Sequence, residues 1–276
     1  MWRILPTSLA LVVAPSAFAV FPNQSEDNQF LSVGRFSGAS AVAIAPNWFI
    51  SAEHVNGTTV LLNGQTYNVV ENIVAPLTPN VFGNPPTIAE RADLRLLRVA
   101  ETVPVGQFSS MFFGNATGRI ATMVGFGDTG IQTANGYSIT SGSSGTRRRA
   151  QNVIDGLAVA RFDNGPGWLT YYYTLDNPSS SNYLAGEGGI AGGDSGGGWF
   201  VFDNGEWKLT GISSAIGRLD GSASLGAFDW GGNGFGVALG RYESWIVQTV
   251  PEPFTLSALA LAALAARRKR KTKVKA

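Results

Sequence analysis

The chain has 276 residues, 44% hydrophobic and 14% charged, enough to bury a sizeable core and too apolar for disorder. Its formal charge of +1 hides an asymmetry: seven of the 20 basic residues fall in the last ten positions and Arg3 lies near the start, so positions 20–266 carry 12 basic against 19 acidic residues, a net of about −7. That balance argues against a nucleic-acid partner; the absence of cysteine excludes disulfides, thiolate metal sites and a cysteine nucleophile; the single histidine, His54, argues against a zinc centre, and no metal or other cofactor is expected.

In chain order, residues 1–19 read as a secretory signal peptide. Arg3 supplies the positive start, residues 9–14 the apolar stretch, and Ala17-Phe18-Ala19 the cleavage site, which would leave Val20 as a new N-terminus. An uncleaved anchor is the alternative, but the apolar stretch is short. Thirty-five glycines imply many tight turns and short strands. Apolar runs at 40–45 and 48–50 are split by Pro46-Asn47. Segments 58–62 and 65–70 flank Asn63-Gly64, a hairpin signal, and 199–202 and 207–212 flank Asn204-Gly205 in the same way. Tyr171-Tyr172-Tyr173 and residues 235–239 are further strands, 138–145 and 176–181 read as surface loops, and Arg147-Arg148-Arg149 reads as a solvated strand start. Helical periodicity is almost absent before a short helix at 241–247. The pattern is all-β, and it does not by itself choose between sandwich and barrel.

The far end reads Val250-Pro251-Glu252-Pro253, a 13-residue apolar run over 254–266, then Arg267-Arg268-Lys269-Arg270-Lys271. Thirteen helical residues span ~20 Å, short of the ~30 Å hydrocarbon core. Positive-inside bias would keep the basic cluster in the cytoplasm and the rest outside. Residues 250–271 resemble the PEP-CTERM sorting signal of Gram-negative bacteria. That resemblance implies cutting by an exosortase-type transpeptidase and release toward the cell surface, after transient anchoring in the inner membrane. A permanent anchor is the alternative. The expected organisation is therefore a signal peptide at 1–19, a domain at 20–249, and a sorting segment at 250–276.

Three segments carry chemistry: Ser51-Ala52-Glu53-His54-Val55, Asp93-Leu94-Arg95-Leu96-Leu97, and Gly192-Gly193-Asp194-Ser195-Gly196-Gly197-Gly198. A serine hydroxyl needs a base to become nucleophilic, and histidine suits because its pKa lies near 6.5. The base needs a carboxylate on its far nitrogen, and glycines let backbone N–H groups reach a developing oxyanion. Singly, each residue has a bland reading: a structural histidine, a glycine-rich turn, an aspartate pairing with Arg91 or Arg95. Together they occur in a workable order. Gly193-Asp194-Ser195-Gly196-Gly197 also satisfies the nucleophile elbow of α/β-hydrolases, but that fold places its histidine after the serine, and none follows Ser195.

These three segments resemble the chymotrypsin/trypsin family of serine proteases, with lesser echoes at Ala45-Pro46-Asn47-Trp48, Gly125-Phe126-Gly127, Gly211-Ile212-Ser213-Ser214 and Gly236-Val237. The resemblance covers residues 32–248. It implies two six-stranded antiparallel β-barrels, roughly 30–120 and 121–240, with a short C-terminal helix. It implies Ser195 as nucleophile, His54 as base, Asp93 as orienter, and the N–H groups of Gly193 and Ser195 as the oxyanion hole. It implies an exported endopeptidase acting on protein or peptide substrates. A catalytically silent surface-binding member and an esterase on the same scaffold are the rivals.

The resemblance also implies a substrate pocket at Gly189, Ser214, Ile216 and Gly236. Gly189 offers no acid for Lys or Arg, and Ile216 would narrow the wall, so small or medium apolar residues are expected before the scissile bond. Glu187 would enter the pocket only through a loop shift. Members activated by proteolysis pair a new terminal amine with the aspartate before the nucleophile. Asp194 is present without an Ile-Val-Gly-Gly segment, so either Val20 supplies the amine or a local partner holds Asp194.

Overall fold

The structure, a computed structural model, describes residues 20–21, 24–25, 28–79, 89–160, 167–219 and 227–250. The expected signal segment 1–19, and the sorting segment from 251 onward, lie outside the described residues. The first half carries β1 (Gln24–Ser25), β2 (Val33–Phe36), β3 (Ala39–Ala45), β4 (Trp48–Ser51), β5 (Thr59–Leu62), β6 (Gln65–Val74), β7 (Leu77–Pro79), β8 (Ala89–Arg91) and β9 (Arg95–Val99). The second half carries β10 (Ile120–Gly125), β11 (Thr129–Gln132), β12 (Tyr137–Thr140), β13 (Arg148–Val153), β14 (Gly156–Ala160), β15 (Trp168–Thr174), β16 (Gly198–Asp203), β17 (Glu206–Gly217) and β18 (Asn233–Ala238). A 3-10 turn, Leu239–Tyr242, leads into α1 (Glu243–Thr249).

Strands β2-β3-β4-β9-β6-β5 close into an antiparallel barrel, which removes free edges. The second barrel is the antiparallel run β13-β10-β16-β17-β18-β15, extended by β1 and β14. Its end strands β13 and β15 meet through the buried Asn152 amide, which donates to the Thr174 carbonyl at 3.2 Å. The expected pair of six-stranded barrels with a short C-terminal helix is the observed architecture. Both expected hairpins form, with Asn63 and Gly64 at φ 48° and 83°, and Asn204 and Gly205 at 51° and 87°. Positive φ at both central residues matches the twist of the flanking strands, which is why Asn-Gly marks such turns.

One buried cluster spans both barrels. Val42, Ile50 and Leu94 from the first meet Phe200, Ile212 and Val237 from the second, capped by Tyr242 and Ile246 of the C-terminal turn and helix. Each such side chain removed from water contributes about 1.5–3 kcal/mol, so the barrels are held in one relative placement, and the cleft between them with it. Two sequence expectations are corrected. Residues 138–140, read as loop, belong to β12, because Tyr137 is buried against Phe21 and Trp230 at ring separations of 4.5 and 5.4 Å and anchors the strand. Arg148, read as solvated, is 5% exposed: alternation along β13 turns it inward toward Asp194. Among the described residues no helix is long and apolar enough to cross a membrane.

Candidate active site

The site assembles where three strand ends meet. Strand β4 ends at Ser51 and the chain turns to present His54. Arg95, in β9, clamps this turn by donating to the Glu53 carbonyl and, at 3.2 Å, to the Asn56 side chain. Asp93 sits just before β9 and is 3% exposed. Its Oδ1 accepts the His54 backbone N–H at 2.9 Å, and its Oδ2 lies 2.8 Å from His54 Nδ1. Arg91, the other sequence candidate for pairing with Asp93, instead pairs with Glu53 at 2.6 Å.

On the other ring nitrogen, His54 Nε2 lies 2.8 Å from Ser195 Oγ. A half-exposed imidazole thus bridges a buried carboxylate and a serine hydroxyl, 39 and 141 residues away in sequence. Ser214 Oγ donates to Asp93 Oδ2 at 2.6 Å. The β17–β18 register shifts between Ser213 and Ala215, so Ser214 leaves the ladder and is aimed at Asp93, a common use of a bulge.

The serine loop is shaped by contacts that only glycine permits. At Gly196, with φ +80°, a Cβ would lie 2.1 Å from the Ser40 carbonyl oxygen; at Gly197 it would lie 2.5 Å from the Val124 carbonyl oxygen. The amide N–H groups of Gly193 and Ser195 have no hydrogen-bond partner among the described residues, which leaves two donors beside Ser195 Oγ.

Asp194 is 1% exposed, and its carboxyl accepts the Gly127 and Ala191 N–H groups, each at 2.8 Å. These two backbone donors take both oxygens; Ala191 is a local partner, while Gly127 arrives from 67 residues away. They also explain the glycines at 125 and 127: a Cβ at Gly125 would lie 2.3 Å from Asp194 Oδ1, and one at Gly127 2.6 Å from Asp194 Cγ.

A cavity of about 90 Å³ adjoins Ser195 and is lined by Ile190, Ala191, Gly192, Ser214, Ala215 and Ile216. That is room for a few waters, or for one small apolar side chain. Of the four expected pocket residues, Ser214 and Ile216 line it. Gly189 and Gly236 do not: a Cβ on Gly236 would meet the Trp199 indole at 2.8 Å, so that residue faces the core. Ser40 was invisible as a site residue. Its N–H donates to the Ser195 carbonyl at 2.9 Å, and its Oγ accepts the Phe126 N–H at 3.0 Å, tying the first barrel to the serine loop. A polar residue opening an apolar strand run was the available signal.

Glu187 is 0% exposed and does not enter the pocket. Its oxygens accept the Asp176 and Leu184 N–H groups at 2.5 and 3.2 Å, stapling the 176–187 loop. Burial pushes the Glu187 carboxyl up to about 7, against the lowering pull of those donors. Burial likewise pushes Asp194 up to about 7, opposed by its two N–H donors and the charge of Arg148. Both folded values exceed the unfolded ones of about 4, so between about pH 4 and 7 the folded state holds more protons. Unfolding free energy should therefore fall as pH rises through this window. Urea titrations of the 20–250 region at pH 5 and 8 should show this slope, and Glu187→Gln should flatten it. A profile as steep in that variant as in wild type would remove Glu187 as a cause.

No family model and no curated protein matches the chain. Among solved structures it is similar to neuropsin, a serine protease expressed in the limbic system of mouse brain, at 18% identity and a TM-score of 0.49, over 80% of this chain and 95% of that one. At that distance the likeness carries no function, which rests on the geometry of the site itself.

Proposed function

We propose that the chain is an exported serine endopeptidase that cleaves after small or medium apolar residues through an acyl-enzyme. The single observation that carries this reading is His54, placed 2.8 Å from both Asp93 Oδ2 and Ser195 Oγ. Ser195 Oγ attacks the peptide carbonyl while His54 Nε2 takes its proton. Asp93 holds the tautomer with its proton on Nδ1 and stabilises the imidazolium. The N–H groups of Gly193 and Ser195 donate to the oxyanion of the tetrahedral intermediate. His54 then protonates the leaving amine, and water repeats the sequence on the acyl-enzyme.

The cavity supports the apolar preference, because no charged group lines it. Residues 1–19 and 250–271 support export, followed by sorting through an exosortase-type enzyme and a transient membrane anchor. N-terminal sequencing of protein recovered from the envelope should begin at Val20.

A fluorophosphonate probe should label the purified protein, and Ser195→Ala should abolish labelling. Labelling that survives in that variant would remove Ser195 as the nucleophile. Turnover of esters without any turnover of peptides would convert the proposal into the esterase reading.

A further inference from the structure

The cavity beside Ser195 is small, about 90 Å³, and one segment of its wall is backed from behind. Ile190 and Ala191 line it, and Gly189 precedes them. A Cβ built on Gly189 would meet Tyr173 Oη at 2.2 Å and the ring tip of Phe21 at 3.0 Å. The absence of a side chain at 189 therefore does not deepen the cavity, because two aromatic side chains from elsewhere already occupy that space.

Both aromatics are fixed. Tyr173, 2% exposed in β15, accepts the Ile190 N–H on its hydroxyl at 2.7 Å and packs on Trp199 at a ring separation of 5.5 Å. On its other side a Cβ at Gly234 would lie 2.3 Å from the same ring, so the tyrosine is wedged between the 189–190 segment and β18. Phe21, 1% exposed, lies against Tyr137 at 4.5 Å and edge-on to Phe228 at 5.6 Å. Its backbone pairs with Gly189 in both directions: the Phe21 N–H donates to the Gly189 carbonyl at 3.2 Å, and the Gly189 N–H donates to the Phe21 carbonyl at 2.7 Å. Phe21 therefore holds the loop and backs it at once.

The geometry points to Phe21, in the strap ahead of the first barrel, as a specificity-determining residue that with Tyr173 backs the 189–190 wall of the substrate pocket and limits it to alanine- or valine-sized side chains. This inference rests on the protease reading of the same site. It makes the N-terminal strap part of substrate selection, although the strap lies outside the barrel strands and contributes no group to the His54–Asp93–Ser195 cluster. Apolar pockets discriminate by about tenfold or more for each methylene they exclude or admit, so removing a ring from behind the wall should be read directly in the substrate profile.

The experiment is a peptide series differing only in the residue before the scissile bond: Ala, Val, Leu, Phe and Lys. It is run on the full chain, on Phe21→Ala and on the milder Phe21→Leu, with probe labelling of Ser195 as the check that each protein is intact. Wild type should turn over the Ala and Val peptides best. Phe21→Ala should raise the Phe-to-Ala ratio of kcat/KM at least tenfold, and Phe21→Leu should shift it in the same direction by a few-fold. An unchanged ratio in a labelled Phe21 variant overturns the inference, as does a wild type that prefers the Phe or Lys peptide. A wild type without Ser195-dependent labelling overturns the protease reading instead. Should Phe21→Ala fail to fold, the Phe21→Leu ratio decides.

Discussion

Asp93→Asn should lower kcat about 10,000-fold, with KM near the wild-type value and the fold intact. The argument is one of hydrogen-bond direction. Asp93 accepts three donors: the His54 backbone N–H on Oδ1, and His54 Nδ1–H together with Ser214 Oγ–H on Oδ2. Asparagine has one acceptor oxygen and one donor nitrogen. Its oxygen must face the His54 backbone N–H, because two donors cannot meet there. Its NH2 then faces His54 Nδ1, which must become an acceptor. The ring proton moves to Nε2 and points at Ser195 Oγ, leaving no base. Ser214→Ala is the contrast, since it removes one donor while the carboxylate keeps the other two. A net hydrogen bond is worth about 1 kcal/mol, so the loss should be about tenfold or less. Both follow from kcat measured over pH 6–9 on one peptide; an Asp93→Asn enzyme within tenfold of wild type would remove Asp93 from the orienting role.

Gly196→Ala should be the most damaging single-methyl change in the serine loop, costing about 3 kcal/mol or more of stability and about 100-fold in activity. The added carbon would lie 2.1 Å from the Ser40 carbonyl oxygen and 2.2 Å from Ser51 Oγ, two atoms already joined by a 2.8 Å hydrogen bond. Relief requires the loop to move. The Gly196 N–H is held to the Ser213 carbonyl, and the Ser195 carbonyl to the Ser40 N–H. Any shift therefore displaces Ser195 relative to His54.

Gly118→Ala separates the two contributions. It has the same φ of +80° and no heavy atom within 4 Å of the added carbon, so only the left-handed backbone cost of about 1–2 kcal/mol applies. Equal urea midpoints for the two variants would show that packing at Gly196 is not what the glycine protects.

Much of this protein was legible in its residues. The all-β pattern, the hairpins at Asn63-Gly64 and Asn204-Gly205, and the short terminal helix follow from local rules, because turn chemistry and alternation act over a few residues. His54, Asp93 and Ser195 were legible for a different reason. With one histidine and no cysteine in the chain, few chemistries remain, and the order of the three residues narrows them further. Ser138–Thr140 and Arg148 were misread because their state depends on partners far away: Tyr137 packs on Phe21, and Arg148 turns in toward Asp194.

The pocket divides the same way. That residue 189 has no side chain is a fact of sequence, and it excludes a charge at that position. What occupies the vacated space is not local, since Tyr173 and Phe21 arrive from 16 and 168 residues away. The residue types at 54, 93 and 195 were determined by the sequence alone, whereas the depth of the cavity beside them was decided by the tertiary structure. A nucleophile and its base can be named from their chemistry, but a volume exists only once packed side chains from distant segments have filled what lies behind it.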